Sequence, residues 1–316
     1  MSISSATATD PRRFGIWNPR AWLMYAPGEL PTLLWVIGVH IVLVVGLILL
    51  PLPPVSALIT ALALLFLGGL GTTVAYHRAL AHRAVVLHPA VEQVLIFFAM
   101  FNGSGAPRNW VAMHRHHHIH SDKPDDISSP HYGGFWWSHL RWLWQADQPN
   151  RDRYVKDMNA FRYRVWTSLQ ILVLFFAVTT GALWFFVAPW QEALAAMLWI
   201  GPVRLMWALH TQCSVNSICH LGAIADHGGS SRNVGWLALA HFGQGENWHA
   251  NHHRSPANPR IGHRWQLDLG WTSIRALGLV GLAKWKPHRA VTVASATEVE
   301  ANVELEPETV SSGNAS

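Results

Sequence analysis

The stretch VSALITALALLFLGGLGTTVAYHRALAH, residues 55–82, decides what kind of molecule this is. Residues 55–76 carry no charged side chain. They are long enough to cross a bilayer as a helix, which takes about 20 mostly apolar residues. The run then ends on His77-Arg-Ala-Leu-Ala-His82. An apolar helix that delivers two imidazoles at its end predicts a membrane protein with a polar site at the bilayer surface.

Working outward, residues 31–50, 166–188 and 190–210 are three more runs of the same kind. PLPP at 51–54 and Pro189 break them into two hairpins, because proline lacks an amide donor and stops a helix. Pro202 and Arg204 interrupt the fourth run. Residues 85–100 are apolar but short and contain Glu92, which predicts an amphipathic helix at the interface, not a fifth span. No Lys or Arg occurs in residues 31–77 or 166–203. The bias of basic residues toward the cytoplasmic side then places both termini and the segment between the hairpins in the cytoplasm. The fold class expected is an all-α integral membrane protein: four transmembrane helices in two hairpins under a cytoplasmic, His-rich helical cap that holds two metals.

Composition agrees. Of 316 residues, 50% are hydrophobic and 13% charged, against about 25% charged in soluble domains. This excludes a disordered chain and a disulfide-rich secreted domain. Cys213 and Cys219 form no CxxC pair, so they read as two buried thiols in a reducing compartment. The polar start, MSISSATATDPRR, gives no expectation of a cleaved signal peptide. Net charge is +5, but the tail at 291–316 holds five of the 18 acidic residues and no Lys or Arg. The rest is therefore strongly basic, which suits a face near anionic lipid. No basic stripe or known module points to nucleic acid. The expected organisation is a cytoplasmic segment 1–30, a membrane-embedded domain 31–290 and a disordered acidic tail 291–316.

The 20 histidines are the main chemical signal. Beyond His77 and His82 there are two HxxHH boxes, His114-Arg-His-His-His118 and His249-Ala-Asn-His252-His253. A helix turns about 100° per residue, so positions i, i+3 and i+4 straddle one face. His114, His117 and His118 can enter one cavity, as can His249, His252 and His253. One metal does not need that many ligands from one helix, so two adjacent metals are expected. His77 and His82 would diverge by about 140° on a regular helix. They either bind different metals or sit where the helix unwinds. Imidazole suits zinc, copper, iron and nickel alike, so spacing does not choose the metal. His88, His131, His227, His263 and His288 read as surface or capping residues. His116 and His120 fall off the box face. His139 and His241 are expected beside the metals without binding them, and His40 alone lies mid-span.

Boxes of this type and order resemble those of the membrane fatty acyl desaturases, in particular the Δ9-type, stearoyl-CoA desaturase branch in its bacterial form. Gly245-Glu-Asn-Trp-His-Ala-Asn-His-His253 is similar to that branch's GEGWHNNHH, Gly134-Phe-Trp-Trp-Ser-His139 to its GF(F/W)(F/W)SH, and Asn216-Ser-Ile-Cys-His220 to its NSxxH. The resemblance runs from about the first span to Lys286. It implies a centre of two Fe ions with His77, His82, His114, His117, His118, His220, His249, His252 and His253 as ligands and Asn216 holding a water. It also implies O2 as co-substrate and a cis double bond, Δ9 in this branch, formed in a saturated acyl chain carried as a lipid or acyl thioester. The 31–290 segment would be the desaturase domain. Trp110, four residues before His114, matches a Trp at the bend of the family's substrate tunnel; as a residue alone it reads as an interfacial anchor. Gly68, Gly69 and Gly71 would give an acyl chain room, or let helices pack closely. The aromatic run at 135–137 and 141–144 reads as a belt at the membrane surface.

Two departures stand out. Trp110-Val-Ala-Met113 lacks the Arg that binds the CoA head in animal enzymes, which points away from acyl-CoA. Asp126-Ile-Ser128 replaces the usual D-P-H. No HPGG-type cytochrome segment is present, so electrons are expected in trans from ferredoxin or another small donor with its reductase. The bacterial-like boxes suggest a bacterial inner membrane. Two other functions compete: a fatty acyl hydroxylase or other C–H oxidase on the same scaffold, and a membrane metal transporter. The transporter needs His lining a path through the spans, where only His40 lies.

Overall fold

The computed structural model describes residue 12, residues 15–222 and residues 229–286. The acidic tail, His227 and His288 lie outside the described residues. Four helices are long and apolar enough to cross a membrane: α1 (Leu30–Leu49), α2 (Val55–Ala81), then, after two shorter helices, Phe161–Phe186 and Trp190–Ser217. The shorter two are α3 (Pro89–Phe101) and α4 (Pro107–His120). The third and fourth long helices are α5 (Phe161–Phe186) and α6 (Trp190–Ser217). Two further helices matter to the site, α7 (His249–Arg254) and α8 (Leu269–Leu279).

Local chemistry sets these ends. Proline sits in the first turn of α1, α3 and α4, where no intrahelical donor is needed. The His88 ring accepts from Ala90 N at 3.3 Å and caps α3, in line with its reading as a capping residue. Asp268 caps α8 by accepting from Trp271 N at 2.8 Å. α3 has 13 residues, too short to span, and buries Glu92 with Ile96, Ala99 and Met100.

The spans run further than hydropathy suggests. α2 extends to Ala81 and α6 to Ser217, while α5 begins at Phe161, ahead of Arg162 and Arg164. Backbone hydrogen bonds carry a helix past its apolar edge. Pro202 does not break α6, because the turn Trp199–Val203 widens to a π-helix around it. Arg204 is buried inside the helices, contrary to its reading as an interruption. Its guanidinium donates to Ile200 O at 2.6 Å, Phe101 O at 2.8 Å and Ala177 O at 3.0 Å, and also bonds the Asn102 side chain. Every one of those acceptors is neutral, so Arg204 fastens α3, α5 and α6 together through their carbonyls.

Burial separates inner from outer helices. Only 17% of the apolar window is buried in α1 and in α5, against 61% in α6. α6 is therefore the inner helix, and it is also the most polar. Within it, His210 lies 3.0 Å from His40 of α1 and 2.9 Å from His139. The expected aromatic belt is corrected in part: Trp137, Trp142 and Trp144 are buried core residues, and only Trp136 is exposed. Trp144 packs with Leu33, Val36 and Cys213, and Trp137 and Trp142 pack with Ala146.

The three glycines of α2 serve close packing. A side chain at Gly68 would meet Asn102, and one at Gly69 would meet Gln244. One at Gly71 would come within 2.6 Å of the Ala99 backbone nitrogen on α3. Gly71→Leu should cost about 1–3 kcal/mol from overpacking against backbone that cannot yield. Gly38→Ala, with nothing within 4 Å of the added carbon, should not lower stability and should raise it by up to about 1 kcal/mol. Thermal unfolding in detergent compares the two directly.

Candidate metal centre

The site is built where α2, α4, α6 and α7 meet. The last part of α2, Gly71–Ala81, is a π-helix. Its wider winding bonds residue i to i+5, and His82 N donates to His77 O at 3.1 Å. This resolves the question left by spacing: His77 and His82 come to one side because the helix is under-wound. Their rings lie 5.0 Å apart, centroid to centroid.

The nine histidines of the three boxes and the NSxxH element gather into two groups. One is His77, His82, His114, His118 and His252; the other is His117, His220, His249 and His253. Within each group the ligand nitrogens lie within 4.8 Å of one another. Each HxxHH box is split between the groups, with His117 parting from His114 and His118, and His252 parting from His249 and His253. The groups touch: His118 and His253 stack with centroids 4.5 Å apart.

The nitrogens are spaced as ligands would be. Nε2 of His82 and His114 lie 2.7 Å apart, His77 and His252 3.0 Å, and His252 and His118 2.9 Å. In the second group, His220 and His253 each lie 2.9 Å from Nε2 of His249. Bonds of about 2.1 Å set at right angles put donor atoms about 3.0 Å apart. His117 supplies a sharper sign, because its Nε2 is buried with no partner while its Nδ1 is engaged. The donor set therefore fits a metal ion in each group.

Three carboxylates stand behind the rings, and sequence reading had not assigned them. Nδ1–H of His117 faces Asp126 at 3.0 Å, that of His220 faces Asp122 at 3.2 Å, and that of His77 faces Glu246 at 2.8 Å. A carboxylate on Nδ1 fixes the tautomer and turns Nε2 toward the metal. Glu246 also accepts from Thr73. Burial pushes Glu246 upward, but the His77 and Arg78 charges and the hydrogen bonds hold it at about 2. Asp126 lies below the usual carboxylate range for like reasons, against its own burial. Burial, and then the neighbouring imidazoles, lower His82, His114, His118, His249, His252 and His253 well below the ordinary histidine range. Neutral rings with free lone pairs are what a metal requires.

Among the described residues, the remaining histidines fall outside both groups. His116 bonds the Tyr154 hydroxyl at 2.9 Å and Asp125 O at 3.0 Å. His139 and His241 contact no ligand ring; they bond Ser217 and Ser214 of α6 at 2.8 and 3.2 Å. His131 lies 3.7 Å from Asp122. Both cysteines are buried and unpaired.

A cavity of about 630 Å³ opens against the site, within the range of ligand pockets. His77, His114, His117, His249, Asn216 and Trp110 are on its wall. Trp110 stacks on His114 at 4.9 Å and 15°, so its ring belongs to the site wall.

Comparison with known proteins follows the same line. The fatty acid desaturase family model matches residues 51–269. The Δ9 acyl-lipid desaturase 1 of Arabidopsis thaliana is 35% identical over 234 residues, which cover 72% of this chain and 74% of that protein. The sn-1 stearoyl-lipid 9-desaturase of Anabaena variabilis is 34% identical over 223 residues, 68% and 78% of the two chains. The hex-5-enoyl-(acyl-carrier protein) acetylenase of Moorena producens is 32% identical over 238 residues, 67% and 71%. The chain belongs to the fatty acid desaturase family, and is an oxidoreductase that uses dioxygen.

The carboxylates give a test. Glu246→Gln or Asp126→Asn should weaken metal retention by about 10- to 100-fold. His116→Ala should not change it. Metal per chain, measured by mass spectrometry after dialysis against a graded chelator, separates the two cases.

Proposed function

We propose that the chain introduces a cis double bond at the Δ9 position of a saturated acyl chain carried by a membrane lipid. The observation that carries this reading is the gathering of nine imidazoles, five and four, beside a cavity whose wall includes His77, His114, His117 and His249. His77, His82, His114, His118 and His252 would hold one iron and His117, His220, His249 and His253 the other, with Asn216 holding a water. Two irons with dioxygen supply, when bound, an oxidant able to take hydrogen from an unactivated methylene, which no side-chain acid or base can do. Overall, one –CH2–CH2– pair, O2, two electrons and two protons give one –CH=CH– and two waters.

The chain's own residues set position and surroundings. Asp122, Asp126 and Glu246 accept Nδ1–H bonds and aim three rings inward. Trp110, lying flat on His114, forms the wall beside which the acyl chain bends. Holding one methylene pair at the site accounts for regiochemistry, since misplacement of about 1 Å is costly. A walled cavity also keeps bulk water from the oxidant.

The lipid-bound substrate is supported by the printed names of two relatives and by the helix before the second box. Val111 and Ala112 are buried there and offer no cation to a CoA head. Another relative is named for an acyl-carrier-protein substrate. Electrons would come in trans, from ferredoxin and its reductase. The distribution of basic residues supports an active site and both termini on the cytoplasmic side of a bacterial inner membrane.

Expression with ferredoxin and reductase, in a host poor in unsaturated acids, tests this. Gas chromatography–mass spectrometry should find a new cis-Δ9 monoene, absent with His118→Ala. A hydroxy acid instead would make the chain a hydroxylase. No new product, from purified protein that holds no iron, would overturn the reading.

A further inference from the structure

We infer that the loop at residues 254–267, with its exposed Trp265, is where an acidic one-electron carrier protein docks and passes electrons inward through Trp248 to His249. The inference rests on the desaturase reading, which needs two electrons from outside for each double bond. One carrier gives one electron, leaves oxidised, and a second follows.

The loop carries Arg254, Arg260, His263 and Arg264 and no Asp or Glu. All four basic side chains are exposed. Among the described residues, no carboxylate pairs with Arg254, Arg260 or Arg264. A cluster of unpaired cations favours an acidic partner and speeds its encounter. Next to Arg264, Trp265 is 82% exposed. Trp and Arg are the residues most enriched where interfaces gain their binding energy.

Trp265 also connects to the site. Its ring meets Trp248 edge-on, with centroids 5.8 Å apart at 84°. Trp248 is buried and immediately precedes His249, a member of the second imidazole group. Two conjugated rings and one peptide unit therefore span from the exposed surface to the candidate metal ligand. Electron tunnelling falls steeply with separation, so such a path favours entry here.

The loop is held firmly on the helix it would serve. Trp248 donates to Leu267 O at 2.9 Å. Asn251 of α7 donates to Ile261 O at 3.0 Å and to Gln266 at 2.8 Å. Asp268 accepts from Ile261 N and Gly262 N at 2.8 and 2.9 Å, and from Arg78 at 2.9 Å. A surface fixed before binding loses little freedom on docking.

The test is the affinity of a plant-type [2Fe–2S] ferredoxin for the full chain in nanodiscs. Arg260→Glu with Arg264→Glu should raise Kd about tenfold or more at low salt, and the double Lys variant should restore it. Trp265→Ala should raise Kd by a similar factor and slow reoxidation of bound, reduced ferredoxin; Trp265→Phe should recover most of both. Unchanged Kd across these variants, or no salt-sensitive binding by the parent chain, would overturn the inference. So would quenching of the Trp265 emission by brominated lipid, read as the difference from Trp265→Phe, since that would put the loop in the bilayer. Binding is measured without turnover, so the two readings fail separately. A chain that binds ferredoxin as expected but forms no alkene sinks the desaturase reading alone.

Discussion

Nine imidazole rings crowd into two touching groups, with facing nitrogens 2.7–3.0 Å apart. Nothing else in the chain constrains the fold as much. Protonated, such rings would repel one another; neutral, they crowd lone pairs into a space where water is scarce. The arrangement is costly without a cation at its centre, so the scaffold must hold it. It does so from behind each group. Asp126 and Asp122 brace the four-ring group through His117 and His220, and Glu246 braces the five-ring group through His77. Arg78, one residue on from His77, lies 2.9 Å from Asp268 and 3.9 Å from Glu246, tying the loop base to the ligand helix.

The same demand explains the irregular helices. His77 and His82 serve one group only because α2 ends as a π-helix. A regular helix would send one of them away by about 140°. That under-wound segment needs support, and Gly71 gives it by letting the α3 backbone approach. The under-wound ligand segment is thus packed closely against the α3 backbone.

Much of this was legible in the sequence, for identifiable reasons. Four apolar runs announce four long helices because bilayer thickness sets a length. The HxxHH boxes announce ligands because 3.6-residue periodicity puts i, i+3 and i+4 together. What the periodicity hides is how a box divides. His117 and His114 share a face of α4, yet serve different groups, since the division depends on where α7 and His220 arrive. His220 has no local signal and is reached only through the NSxxH resemblance. The carboxylates are hidden for the same reason: Glu246 lies 169 residues from the His77 ring it bonds, and Asp122 lies 98 from His220. Glu246 stood within a quoted motif, and Asp126 within a noted departure, but only tertiary contact reveals their work.

The polar interior of the membrane-embedded part follows from the position of α6. This helix carries Asn216 to the cavity wall, so it must lie inside, and Arg204, Ser214 and Ser217 are buried with it. In a bilayer core an unpaired polar group costs several kcal/mol. Several of them are paired. His210 meets His40 and His139, and His139 meets Ser217, the residue next to Asn216. Arg204 spends its guanidinium on carbonyls of α3, α5 and α6. These pairings lock α1, α5 and α6 at a fixed depth and rotation, which apolar contacts with lipid-like surfaces could not do alone. His40 and His210 are therefore better understood as fittings that hold these helices together than as steps of a transport path.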